Sequence, residues 1–229
     1  MEISWLGHSA IRIVSRDIVL ITDPYPDSIG FSMGSQAAHI VPISNAHPNH
    51  CGDDMISGEP RVLRGPGQYE VHGYNIVGLG TRLEESEPTE DSEDTEDTED
   101  TEDTEQIRQI NTVYTFRSEG LTVCHLGDLS RKMTPAQIGD QGNIDVLIVP
   151  AGGGCTITPA EVLEQANVFS PKIIIPVHYS HDQPVEGLNP IDEFLKVFGM
   201  ENPTPQIRVN VNQTNLPRET EVVVLRKVS

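Results

Sequence analysis

The chain has 229 residues, 36% of them hydrophobic, and a formal net charge of −20, which bounds it to one large domain or two small ones. Fourteen of its 35 acidic residues lie between Glu84 and Glu105, where there is no Lys or Arg; outside that run 21 acids face 15 bases. Neither balance supplies the basic footprint of a nucleic-acid binder, and no stretch approaches the ~20 apolar residues of a membrane span.

Met1 to Leu6 enters a strand-like pattern at once, without the basic start and apolar run of a signal peptide. Strands are expected over 3–6 and 10–14, joined by Gly7-His8-Ser9. Ile18-Val19-Leu20-Ile21 is an apolar, mostly β-branched run that stops at Thr22-Asp23-Pro24, where proline cannot continue a ladder. Asp23 therefore sits at a strand end, although Asp before Pro is also ordinary turn chemistry. A loop over 25–38 leads to a strand ending at Ile43. The stretch Ser44-Asn45-Ala46-His47-Pro48-Asn49-His50-Cys51 follows. Two histidines three apart at a strand end can share one space, and imidazole is a common zinc ligand. Alone, such a pair reads first as part of a polar turn.

Further strands are expected at 61–63 and 74–79, with a Gly65-Pro66-Gly67 turn between them. From Thr89 the sequence runs in a three-residue TED-like repeat with nothing apolar to bury, so a disordered acidic insertion is expected over about 84–106. A hairpin is expected over 112–124, leading into His125-Leu126-Gly127-Asp128. Buried strands over 145–149 and 172–177 follow, the second ending at His178-Tyr179. Two later strands fall at 207–211 and 222–225. Thr134-Pro135-Ala136-Gln137 and Thr158-Pro159-Ala160-Glu161 are capping boxes with proline in the first turn. Asn189-Pro190-Ile191-Asp192 repeats the plan, and Gly199 is placed to end that helix. Strands first, then alternating strands and helices, give a fold in the α/β (α+β) range.

Four strand ends thus carry candidate ligands: Asp23, His47 with His50, Asp128, and His178. Ligands collect at the ends of strands in open sheets. A hydrolytic centre holds one or two cations on nitrogen and oxygen donors. Asp128 is the natural carboxylate to share between them. His125, three residues earlier, faces the other side of a regular strand unless Gly127 kinks it. Cys51, Cys124 and Cys155 form no CxxC pair, which argues against a disulfide scaffold or zinc finger. Cys51 and Cys155 are expected to be buried, inert thiols. The chain reads as a soluble, cytoplasmic protein with reduced thiols.

At these residues the chain resembles the metallo-β-lactamase superfamily, nearest to small bacterial metal-dependent hydrolases related to ascorbate-6-phosphate lactonase. The matching elements are Trp5-Leu6-Gly7-His8-Ser9, Thr22-Asp23-Pro24, the loop at 44–50, Gly65-Pro66-Gly67-Gln68-Tyr69-Glu70, His125-Leu126-Gly127-Asp128, Pro150-Ala151-Gly152-Gly153 and Pro176-Val177-His178-Tyr179. The resemblance implies a four-layer αββα sandwich, here one domain over 1–229, with a metal site at the sheet edge. It implies His47, His50, Asp128 and His178 as metal ligands, with His8, Asp23, Asn45 and His125 around the pocket.

The sequence departs from the family's Thr/Ser-His-x-His-x-Asp-His loop. Asn45 stands where a histidine belongs and Asn49 where the aspartate belongs, and 80–83 lack a further ligand histidine. Losing even an outer-shell partner costs about 10–100-fold in affinity or activity. The expectation is one ion at most (zinc, or Mn or Ni) or none. Asp128 and Asn49 are left in the catalytic positions, and hydrolysis of a small ester, lactone or phosphorylated substrate is expected to be impaired. The alternative is a non-catalytic member of the fold acting as a binding protein.

Overall fold

The structure is a computed structural model and describes residues 1–82, 110–181 and 187–228. The expected acidic insertion at 84–106 lies outside the described residues.

Two sheets carry the fold. The first contains β1 (Glu2–Gly7), β2 (Ala10–Ser15), β3 (Ile18–Ile21), β5 (Ile40–Ile43), β7 (Arg61–Arg64) and β14 (Val209–Asn210), in the order β14-β1-β2-β3-β5-β7. The second contains β8 (Gly67–Val71), β9 (Tyr74–Arg82), β10 (Ile110–Ser118), β11 (Leu121–His125), β12 (Val146–Pro150), β13 (Ile173–Val177) and β15 (Glu221–Val222), in the order β15-β13-β12-β11-β10-β9-β8. β4 (Gln36–Ala37) and β6 (Ile56–Ser57) pair separately. In the first sheet β3, β5 and β7 run parallel; in the second β11, β12, β13 and β15 do. Parallel strands put successive carboxyl ends on one rim, and the candidate ligands follow those ends.

Side-chain alternation divides the core. Ile3, Trp5, Ile11, Ile13, Leu20 and Ile40 belong to one apolar cluster with Ile76, Val113, Phe116 and Val123 of the second sheet. Their neighbours Leu6, Ala10, Ile21, Val41 and Ile43 belong to another cluster, with Tyr25 and Met33 of the following loop and Ile56 of β6. This is the two-residue period of strands buried on both faces. β12 and β13 are buried at every residue, as expected of parallel strands under helices. α1 (Pro135–Gln141), α2 (Pro159–Phe169) and α3 (Asp192–Val197) place Ile138, Val162, Ala166, Phe169 and Phe194 in the larger cluster. The result is the α/β sandwich that the resemblance implies.

Both threonine capping boxes form. Thr134 and Thr158 each accept from the backbone N–H three residues on, and Gln137 and Glu161 reach back. The expected Asn189 cap does not form: α3 starts after Ile191 with no side-chain cap. Asn189 instead donates its N–H to Gly152 O, and its carbonyl accepts from Ser180 N. Those long-range bonds hold it in a bridge, away from the helix start. Gly199 does end α3, at φ +66° with its N–H on Lys196 O. The late strands are shorter than expected and lie in different sheets, and β8 was not foreseen. Of the cysteines, Cys124 is buried, Cys51 half-buried and Cys155 exposed, so Cys155 is not the buried thiol expected.

Candidate metal centre

Each candidate ligand is delivered by a strand end or a turn. His8 lies in the β1–β2 turn, Asp23 after β3, Asn45 to His50 after β5, Asp128 after β11, and His178 after β13. His8, Asp23 and His178 have positive φ, at +49°, +40° and +53°. Left-handed backbone at non-glycine residues costs of order 1–3 kcal/mol and persists where the surroundings over-determine it. Here they do. His178 N–H donates to His8 O, Trp5 Nε1 also donates to His8 O, and Asp23 N–H donates to Pro42 O.

Asp128 is the hub. Its Oδ2 lies 2.8 Å from His50 Nε2 and accepts from Asn45 Nδ2 at 3.1 Å. Its Oδ1 lies 3.3 Å from His178 Nε2, close but without hydrogen-bond alignment. Asp23 is a buried support: it accepts from Ser44 N and Ser44 Oγ at 2.6 and 2.9 Å and lies 3.5 Å from His50 Nδ1. Burial pulls the His50 pKa down, but the Asp128 and Asp23 carboxylates outweigh it and raise it to about 10. Burial opposes ionisation of Asp128 too, yet His178 and His50 hold its carboxyl well below the usual range. Burial first, and neighbouring imidazoles second, drop His8 to about 2. Burial also lowers His178, to about 4, against the pull of Asp128.

Two of these imidazoles touch the carboxylate, and the ring of His8 packs against both of them. One ring nitrogen of each of His8, His50 and His178 lies within 4.8 Å of the others, and all three residues are buried. His8 Nδ1, His178 Nδ1 and Asp128 Oδ1 have no hydrogen-bond partner. Buried imidazoles gathered beside a carboxylate are donors of the kind a divalent cation takes. The residues present fit such an ion.

The other predicted residues are placed differently. His47 is exposed; its Nδ1 accepts from Asn49 N–H at 3.2 Å, and its ring centroid is 6.3 Å from that of His50. Asn45 Oδ1 accepts from the backbone N–H of His47 at 2.9 Å. A backbone N–H can only donate, so this bond fixes the amide: the carbonyl is engaged and the NH2 faces Asp128. Both nitrogens of His125 are also engaged. Nδ1 accepts from Gly127 N–H at 3.0 Å, which leaves Nε2 as the donor to Ser9 O at 3.0 Å. It is a neutral strut between the sheets, and burial lowers its pKa accordingly. Gly127 does mark a kink, at φ +60°.

Sequence reasoning missed Asn111. Fully buried, its Oδ1 accepts from Asp128 N–H at 2.9 Å and its Nδ2 donates to Leu126 O and Thr81 Oγ1. It props the turn that aims Asp128. A polar residue within a β-rich run was the only trace of this in the sequence. Next to Asn45 opens a mainly apolar cleft of about 470 Å³, walled by Ile43, Ala46, Arg64, Pro66, Ile110 and Thr112. Arg64 is held there by both oxygens of Asp53 at 2.9 Å.

Known proteins share this architecture. Residues 2–178 match the family model described as the beta-lactamase superfamily domain. A metal-dependent hydrolase of the UPF0173 group from Lysinibacillus sphaericus is 24% identical over 201 residues, covering 81% of this chain and 88% of the relative. A crystal structure from Thermotoga maritima, assigned as a Zn-dependent hydrolase of the metallo-beta-lactamase superfamily, is 32% identical, with a TM-score of 0.73 over 98% of this chain and 97% of that one. A metallo hydrolase from Ignicoccus hospitalis shares the fold at 16% identity, with a TM-score of 0.63 over 92% of this chain and 99% of that one. With the family model spanning most of its length, this chain belongs to the beta-lactamase superfamily.

Proposed function

We propose that the protein is a metal-dependent hydrolase that works with a single divalent cation, held by His50, Asp128 and His178, on a small ester, lactone or phosphorylated substrate. The observation that carries this is the contact of His50 Nε2 and His178 Nε2 with opposite oxygens of one carboxylate, at 2.8 and 3.3 Å. A cation in such a site supplies Lewis acidity and lowers the pKa of a water toward ~7. Zinc suits the nitrogen-rich donor set, with Mn or Ni as alternatives.

The chain's own groups do the rest. Asn45 Nδ2 and His50 Nε2 both engage Oδ2 of Asp128, and the Asp23 carboxylate stands 3.5 Å behind His50. Asn49, in the family's aspartate position, is neutral and cannot take a proton, so the attacking water lacks its usual base. Turnover is therefore slow. The mainly apolar lining beside Asn45 favours a small substrate with an apolar body, and the acidic balance disfavours nucleic acid. Among the described residues no helix is long and apolar enough to cross a membrane.

A second reading has support in the engaged Asn45 carbonyl and the capped His47 ring: a non-catalytic member whose buried His–Asp network is structural. Hydrolysis of generic ester, lactone and phosphodiester substrates separates the two. Activity restored to chelator-treated protein by zinc, and lost in His178→Ala, supports the enzyme. A folded wild type that is inert with every metal tried supports the second reading.

A further inference from the structure

The ligand pattern in the sequence consists of His47, His50, Asp128 and His178; His8 lies outside it. In space the roles differ. The His8 ring is 4.8 Å from that of His50, at 67°, and 4.5 Å from that of His178, at 83°. His47 stands apart on the exposed rim. The side chain of His8 is buried, yet its Nδ1 has no partner. A buried polar atom left without a bond is costly, and a native fold that keeps one calls for a reason.

The backbone has been built to keep it. The His8 carbonyl takes two bonds, from Trp5 Nε1 and from His178 N, and the second ties the β1–β2 turn to the end of β13 in the other sheet. Gly7 allows the turn at φ +110°; a Cβ there would sit 2.5 Å from the Tyr25 hydroxyl. Two sheets are thus stitched at the residue that carries the unpaired imidazole.

We infer that His8 is itself a metal ligand, so that His8, His50 and His178 form a three-imidazole face with Asp128 as the oxygen donor. The inference rests on the metal-dependent reading above. It explains how a site could survive Asn45 and Asn49: a histidine from another turn replaces the donors lost from the central loop. A tetrahedral zinc with Zn–N of about 2.0–2.1 Å sets its nitrogens about 3.3 Å apart. The 4.8 Å envelope must therefore tighten on loading, by rotation of rings that no hydrogen bond through His8 Nδ1 or His178 Nδ1 restrains.

The test is Co²⁺ titration of the full-length, chelator-stripped chain, followed by visible absorption. Wild type takes up one tight equivalent. His8→Ala weakens binding at least tenfold and changes the band shape, while His47→Ala changes neither. Wild-type affinity and spectrum in His8→Ala overturn the role of His8 and leave the metal-dependent reading standing. A wild type with no saturable site abolished by His178→Ala overturns both. If His8→Ala does not fold, the ring nitrogens of wild-type His8 decide by NMR on Zn²⁺ addition: a metal-bound shift supports the inference, and unmoved resonances overturn it.

Discussion

The Nε2 of His50 lies 2.8 Å from Oδ2 of Asp128, in a site where the imidazole is 1% and the carboxylate 14% exposed. Metal-free, this is an ion pair, because the carboxylates raise His50 to about 10. A cation that takes Nε2 must expel that proton. Its affinity should therefore rise about tenfold per pH unit while His50 is charged in the metal-free protein and His178 and His8 are already neutral. The shifts place that window between about 4 and about 10. Zinc competition titrations should show about a hundredfold gain between about pH 6 and about pH 8. A flat profile would mean that His50 is neutral.

The same groups fix the pH optimum of metal-free stability. His50 is raised, so its contribution is full below 6.5 and fades as pH climbs through about 10. His8, His125 and His178 are lowered, so below 6.5 the unfolded chain takes up protons that the folded one refuses. Asp128 is depressed, and its contribution is lost as pH falls below its ordinary 3.8. Stability should peak near 6.5 and fall on both sides. Melting temperatures across pH measure this, and His50→Gln should remove the alkaline decline selectively.

Asn45 and Asn49 are two of the departures that the resemblance points to, and they can be reversed. Asn45 presents its NH2 to Asp128 because its carbonyl is tied to His47 N–H. An imidazole at 45 would offer a nitrogen donor and a carboxylate at 49 a proton acceptor. Asn45→His with Asn49→Asp should raise bound metal from one ion to two and hydrolysis by about 10–100-fold. Elemental analysis and the same generic substrates check it; unchanged metal content would show that the losses extend beyond this loop.

Much of the scaffold was legible, for physical reasons. Ile18 to Ile21 is an apolar, mostly β-branched run with a proline soon after it, and it is β3 residue for residue. The two threonine boxes are local hydrogen-bond chemistry and form as read. Asn189 failed because a bridge to Gly152 and Ser180 outcompetes a local cap. β8 was hidden behind the Gly65-Pro66-Gly67 turn, in a half-exposed edge strand without a clear apolar run. His178 was readable because a buried strand stops just before it, and His50 and Asp128 because they stand in the short segments that follow β5 and β11. The central place of His8 was not, since the His178 N to His8 O bond joins segments 170 residues apart.

Asn111 and Gly127 set the aim of Asp128, and both are testable. A Cβ at Gly127 would lie 2.4 Å from Asn111 Oδ1 and 2.6 Å from Ser44 Cβ, at a φ of +60°. Gly127→Ala should destabilise the fold by about 2–4 kcal/mol through clash and strain. Asn111→Ala, which strands the Asp128 N–H and the Leu126 carbonyl, should cost about 1–3 kcal/mol. Denaturant unfolding measures both, and a neutral Gly127→Ala would mean that the turn can relax.

The central claim is tested most directly by counting tight zinc equivalents in the chelator-stripped, full-length chain, with His50→Ala and His178→Ala alongside to separate this site from weak binding by the acidic run. The account predicts one tight equivalent in wild type, lost in both variants while they stay folded. Zinc uptake that the two substitutions leave unchanged would contradict it.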